Sequence, residues 1–436
     1  MVIKLNRNNR FIVGALFLTL LIVLISSVGF IRADKVVYLS IYLLLSIICF
    51  LISFDWISTL TLFWLQYTIY ALGYVTSKTV YLYNPYFVVL GSFGILLFGY
   101  YMGHNTKHFR IKQFKIKRSQ IIKLKWKTII EIMYVYSTIM WGVYILKNRA
   151  FLFGENLESG RVDAMSGNGI FLYSVMLHVM YIPMLYILLK KREISIKLFC
   201  LLVIISCFEL ICVGYRTPLV ISVFCIFVIQ ARLKKFNVKD AVFWFLILFV
   251  LAMGFEIIRS GSIFSTSSLM QRFLSRFDCC MWNYNYVVTT FPHYMPFQHG
   301  YTNIIDLIML LPGPGQDFSL WLKDAVGITY DGGGFVTFIQ GSFYIDFGIP
   351  GMIIGMFLLG YFKAFVDWWL ESHIETSFWD AYIPYAFSMV CGNIMGTFIL
   401  PMVLFVVYKF MEYFAIGDLA IKRLDINTNR RIESKL

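Results

Sequence analysis

Twelve stretches of mostly apolar residues recur along this chain, each near the length that crosses a bilayer. They occupy 11–31, 36–54, 57–75, 86–103, 128–146, 169–189, 195–213, 218–231, 240–257, 347–366, 379–395 and 398–416. A span needs about 20 predominantly apolar residues. The eighth is short and the last two are weakly separated. With 59% hydrophobic and 18% aromatic residues, the chain is expected to be an all-α polytopic membrane protein, a single membrane domain over 1–436 with about 12 transmembrane helices. The first stretch reads as a signal anchor. Its apolar core exceeds the roughly 7–15 residues of a cleaved signal peptide, and no small-residue cleavage site follows.

Basic residues collect in alternate connectors. With the N-terminus inside, the cytoplasmic intervals hold 27 of the 38 Lys and Arg, nine of them between Lys107 and Lys127. This is the positive-inside bias. The net charge of +14 therefore reports orientation and contact with anionic membrane lipids, and no nucleic-acid partner is implied. Both termini are expected in the cytoplasm. Eight Cys show no metal-ligand spacing, and six of them (49, 200, 207, 212, 225, 391) lie within or near spans. Cys279 and Cys280 are adjacent on the outer side, where neighbours rarely pair, so no structural disulfide is expected.

Residues 104–127 form a basic cytoplasmic connector that sets topology. The loop 147–168, the tight turn 213–217 and the long loop 259–346 share the opposite face, which suits a site directed outward. The long loop is too aromatic for disorder, and loops of its length are uncommon unless functional. It reads as a folded cap over a membrane-embedded site. Ser265-Thr266-Ser267-Ser268 offers N-caps for an amphipathic helix running to about Phe291. Arg272, Arg276, Asn283 and Tyr286 form its polar stripe, and Phe273, Phe277, Met281 and Tyr284 the other face. Residues 302–311 give a shorter helix ended by Pro312-Gly313.

Several residues carry potential chemistry. In Gly214-Tyr215-Arg216-Thr217-Pro218, Thr217 suits an N-cap and Pro218 the first helical position. Arg216 thus sits at the positive end of a helix, a natural anion site, unless it merely snorkels to the interface. Arg161 lies among glycines that permit close backbone approach, or is an incidental loop charge. Arg272 and Arg276 on one helical face fit a diphosphate or, about as readily, lipid headgroups. Asp278 has no charged helical neighbour one turn away. His299 is a candidate base, although a lone loop histidine is more often incidental. Glu209, an intramembrane carboxylate, is a functional candidate by default, with an arginine such as Arg216 as expected partner. Glu256 and Arg259 read as an ordinary helix-end pair.

No phosphate-binding GxxxxGK[ST] loop, HExxH or outer Asp-x-Asp pair is present, so neither a metal nor another cofactor is expected. Chemistry outside the membrane would need a donor already activated. A lipid-linked diphosphate sugar is one, with arginines stabilising the leaving diphosphate. Trp282, Tyr284, Tyr286, Phe291, Tyr294 and Tyr301 suit stacking on sugar faces, or form an interfacial aromatic belt.

Three places resemble the O-antigen polymerase (Wzy) family, the repeat-unit polymerases of bacterial surface polysaccharides. They are Gly214-Tyr215-Arg216-Thr217-Pro218, Ser275-Arg276-Phe277-Asp278, and the glycine-aromatic run from Gly333-Gly334-Phe335 through Gly341-Ser342-Phe343-Tyr344-Ile345-Asp346-Phe347-Gly348-Ile349-Pro350-Gly351. The resemblance covers most of the chain in topology. It implies a fold similar to the GT-C glycosyltransferases in the bacterial inner membrane, and inverting, metal-independent transfer at the periplasmic face. A growing glycan on undecaprenyl diphosphate would be the donor and a new lipid-linked repeat unit the acceptor. Arg161, Arg216, Arg272 and Arg276 would bind diphosphate, and Asp278 or His299 would assist the acceptor hydroxyl. Glu209, Tyr344 and Asp346 would support them. A chain-length regulator and the flippase of the same pathway are the implied protein partners. The eleven-residue Arg-to-Gly spacing of some members is absent, since Leu172 and Val287 stand where glycine would fall.

Other readings stay open. An O-antigen ligase, moving glycan to lipid A core, shares the arginine and loop logic. A lipid-linked oligosaccharide flippase also has about twelve spans, but with short, even loops and charges lining a cavity. A structural subunit of the export machinery would not need clustered outer arginines.

Overall fold

Helices apolar on every side have two stable surroundings, lipid or other helices, and this chain uses both. The computed structural model describes residues 33–53, 57–76, 86–106, 122–152, 169–213, 216–233, 279–308, 317–329, 333–373 and 375–422. In chain order the helices are α1 (Ala33–Ile52), α2 (Thr59–Thr76), α3 (Tyr86–Asn105), α4 (Trp126–Leu152), α5 (Gly169–Met176), α6 (His178–Lys190), α7 (Ile196–Cys212) and α8 (Arg216–Leu233). There follow α9 (279–290), then α10 (Tyr301–Ile308), α11 (Phe318–Ala325), α12 (Ile339–Glu371), α13 (Phe378–Ala386) and α14 (Ile394–Phe414). Among the described residues, five helices are long and apolar enough to cross a membrane: Asp34–Ile52, Trp126–Arg149, Phe171–Lys190, Ile339–Glu371 and Ile394–Phe414. The protein is an all-α membrane protein, with strand limited in the described residues to a two-residue ladder of β1 (Glu375–Thr376) and β2 (Ile421–Lys422).

Two cores divide the bundle. The first joins α1, α2, α3 and α12 through buried aromatics, with Tyr67 stacked on Phe93 at 5.1 Å and on Tyr42 at 5.8 Å. α3 and α12 touch backbone to backbone. A Cβ at Gly99 would strike the Phe357 carbonyl, and one at Gly360 the Leu96 carbonyl. Small residues substitute for hydrophobic drive where lipid is as apolar as the core. The second core surrounds α6, whose residues from His178 through Leu188 are all buried, with α4, α7, α8, α13 and α14 around it.

α12 is not one rod. Phe347 (φ −139°, ψ 15°) and Gly348 (φ 65°, ψ −154°) leave helical geometry. A Cβ added at Gly351 would lie 2.8 Å from the Phe343 carbonyl, and one at Gly355 2.6 Å from the Phe343 ring. In a straight helix residues 343 and 355 would stand about 18 Å apart. Residues 339–346 therefore fold back along 349–371 as a short re-entrant arm. Gly348 is required twice, by its left-handed φ and by the Phe297 ring 2.9 Å from where a Cβ would stand.

The stretch 379–395, expected to be a span, is instead the nine-residue α13 and a non-helical break at 387–393. Asn393 ends the break by capping α14, its side chain accepting from Gly396 N. The break crosses residues 337–339. Ile339 N–H donates to Val390 O (2.7 Å) and Gly392 N–H to Thr337 O (2.9 Å). Non-helical backbone is tolerated at membrane depth only where protein satisfies it, as these bonds do.

Basic segments gather at one end of the bundle. Leu124 bridges Ala415, Lys191 Nζ donates to Asp418 O (3.0 Å), and Arg232 and His373 converge on Asp380. At the other end, α9–α11 and 333–338 form an insert with its own core of Val287, Phe291, Phe318, Leu322, Phe335 and Ile345. Its lower part, Cys280, Met281, Tyr284, Phe338 and Ile339, belongs to the first membrane core. The insert is a plug seated in the bundle.

Candidate functional site

The insert is fastened at the tip of the α12 hairpin. Asp346 is buried there, and its carboxyl accepts from Thr302 Oγ1 (2.6 Å), Thr302 N (3.3 Å) and Asn303 Nδ2 (3.1 Å). Thr302 opens α10, so Asp346 satisfies an end-of-helix donor from 44 residues away. Asn393 continues the network, donating to Thr302 O. Asn303 Oδ1 accepts from Met395 N (3.4 Å) at the start of α14. Nearby, Asp306 accepts from Phe318 N (2.8 Å), tying α10 to α11. Burial pushes the Asp306 carboxyl above the ordinary range, opposed by the bonds from Phe318 and Asn393 and reinforced by Asp317. Asp346 is thus the anchor of the insert. Tyr344 acts similarly, its hydroxyl donating to Phe291 O (3.0 Å).

His299 is presented by this anchor. Gln298 N–H donates to Ile345 O and His299 N–H to Asp346 O, both at 2.9 Å. Held this way, His299 adopts a left-handed φ of 51°, uncommon outside glycine. Its ring is exposed and stands 6.1 Å from that of Phe347. Phe347 is 51% exposed, and the insert also exposes Tyr301 at 42% and Tyr294 at 85%. An exposed imidazole beside an accessible aromatic ring suits proton transfer, and exposed aromatics equally mark an interfacial belt.

Glu209 meets a histidine from a neighbouring helix. Its Oε2 lies 2.5 Å from His178 Nε2, both residues fully buried. The chain continues inward: His178 Nδ1 is 3.1 Å from Ser206 Oγ, which is 3.0 Å from the Tyr134 hydroxyl. His178 opens α6 just beyond the turn at Leu177 that separates it from α5, so it faces α7 from a helix start. Arg216 is the first residue of α8, one to two positions before the N-cap and first turn expected at Thr217 and Pro218. Arg161, Arg272, Arg276 and Asp278 lie outside the described residues, as do Glu256, Arg259 and the side chain of Arg216.

Sequence reasoning missed a second buried cluster. Lys363, counted among the cytoplasmic basic residues, is fully buried, its Nζ 4.6 Å from the Phe63 ring centroid and without a hydrogen-bond partner among the described residues. One turn on, Asp367 accepts from Thr59 N (2.8 Å), Thr59 Oγ1 (3.0 Å) and Tyr100 OH (2.8 Å). Gln340 and Thr337, at the crossing of the two non-helical segments, are also buried with unpartnered side-chain polar atoms. The signal for Lys363 and His178 was present, since an ionisable residue within an apolar run is a functional candidate by default. No three acidic, His or Cys side chains among the described residues group as metal ligands.

No protein-family model matches this chain, and no curated protein or solved structure matches it.

Proposed function

We propose that this protein polymerises undecaprenyl-diphosphate-linked oligosaccharide repeat units at the membrane face bearing the insert, the periplasmic face of a bacterial inner membrane. Twelve spans in a GT-C-like arrangement belong to the same reading. The resemblance of the arginine and glycine-aromatic segments supports it. The observation that carries it is the insert anchored by Asp346, which holds the exposed His299 beside Phe347 at one end of the bundle.

In this reading a hydroxyl of the incoming repeat unit attacks the anomeric carbon of the lipid-linked glycan. The bond to diphosphate breaks on the opposite side, giving inversion. His299 or Asp278 takes the hydroxyl proton. Arg161, Arg216, Arg272 and Arg276 neutralise the departing diphosphate. Tyr294 and Tyr301 stack against sugar faces.

Purified protein given lipid-diphosphate-linked repeat unit should build a ladder of glycans without nucleotide, added metal or lipid A core. His299→Ala should slow it by about 10²–10⁴-fold if the imidazole is the base. Absence of a ladder from folded protein overturns the reading, and transfer only when lipid A core is added makes the protein a ligase.

A transporter is the second reading, favoured by the buried Lys363–Asp367 and His178–Glu209 groups and by the broken α12–α14 path. Discontinuous helices and intramembrane ionisable residues mark substrate paths in transporters. Proteoliposomes that move the lipid-linked repeat unit across the bilayer without lengthening it would establish that reading.

A further inference from the structure

The buried thiol of Cys280 meets both its sequence neighbour Cys279 and a cysteine from a distant part of the chain. Cys280 Sγ lies 3.1 Å from the Sγ of Cys391, 111 residues away in sequence. Cys280 is buried, Cys391 is half-buried and Cys279 is exposed. Cys280 sits in the first described turn of α9, and Cys391 stands in the 387–393 break, at the residue that bridges Phe338. The two sulfurs meet where three separate pieces of chain meet. Asn283 Nδ2 donates to Val336 O, Ile339 N to Val390 O, and Gly392 N to Thr337 O. These few bonds hold the insert's lower edge to the break, and the thiol pair spans the same seam. The Tyr70 hydroxyl lies against Cys391 from α2.

In the reduced protein the contact is a weak thiol hydrogen bond. A disulfide bond is about 2.05 Å long, so closing the pair needs about 1 Å of approach. The two residues also differ in exposure, Cys391 half-buried and Cys280 buried, which places Cys391 for attack and Cys280 to resolve.

We propose that Cys280 and Cys391 are a modification site, a dithiol that a disulfide-bearing protein or small molecule on the insert's side of the membrane oxidises to a crosslink, welding the insert into the bundle. Cys391 as thiolate attacks the incoming disulfide, and one thiol leaves. Cys280 then attacks the mixed disulfide and releases the second thiol. One S–S bond breaks and one forms. Two electrons and two protons pass from the cysteine pair to the reagent, which departs as two thiols.

The test uses full-length protein in detergent, incubated with oxidised glutathione, then denatured and labelled with a polyethylene-glycol maleimide. Of the eight cysteines, two should become unreactive, and dithiothreitol should restore them. Peptide mass spectrometry of the oxidised wild type should show residue 280 joined to 391, which needs no variant to fold. C279S should still lose two thiols, whereas C280S and C391S should each keep all that remain. Eight reactive thiols after oxidation, or a linkage that includes Cys279, overturns the proposal.

Discussion

Each half of the bundle buries a pair of ionisable residues, and the two halves satisfy them in opposite ways. In the second core, His178 and Glu209 come from different helices and touch at 2.5 Å. In the first core, Lys363 and Asp367 are one turn apart on a single helix, the spacing at which a surface ion pair is expected, yet the carboxyl's hydrogen bonds come from other helices. Asp367 takes three donors from Thr59 and Tyr100, while the Lys363 amine rests against Phe63. The lesson is that sequence spacing proposes partners and packing chooses among them. Where α2 and α3 deliver hydroxyl and amide donors to Asp367, the carboxyl has no need of the lysine.

The largest effect should come from Asp367→Ala. It strands three buried donors, at a cost of about 3–5 kcal/mol. Thermal unfolding of the detergent-purified protein checks this, and a loss under about 1 kcal/mol would show that water replaces the carboxyl. Next, Asp346→Ala should cost about 2–3 kcal/mol by leaving the Thr302 and Asn303 donors unpaired. Its signature is local: amide exchange should quicken in 297–308 and remain slow in α6. Uniform quickening would mean that the anchor supports the whole bundle.

The comparison itself is sharpest in double-mutant cycles. His178→Ala with Glu209→Gln should show a coupling of about 1–2 kcal/mol, as expected for residues in contact. Lys363→Met with Asp367→Asn should couple by only a few tenths of that. Equal coupling in both cycles would erase the distinction drawn here. The smallest effect is expected from Lys363→Met alone, within about 1 kcal/mol of wild type, because an apolar side chain of similar volume suits a dry site beside an aromatic ring. A cost near that of Asp367→Ala would instead make the lysine an essential partner.

Much of this was legible before any coordinates. Apolar runs near 36–54, 128–146, 169–189 and 398–416 became long helices, because a segment without polar side chains must satisfy its backbone internally. The aromatic density of 279–308 signalled folded structure outside the main spans. The run 379–395 misled because composition alone does not distinguish a straight span from a short helix and a buried break. Asp380, Pro384, Gly392 and Asn393 were its local signs. Glu209 was found as a candidate, but its partner was not, since His178 is 31 residues away in the chain and adjacent only after α6 and α7 pack.

The sequence by itself determined the solvent of this protein and its class, because hydropathy and helix length answer to the bilayer and to backbone hydrogen bonding, which act locally. Tertiary structure alone decided which buried groups meet: Glu209 with His178, Asp346 with Thr302, Cys280 with Cys391. Those choices depend on Gly348 reversing α12 and on glycines that let α3 and α12 touch. Such contacts join residues far apart in the chain, and no local pattern encodes the distance between them.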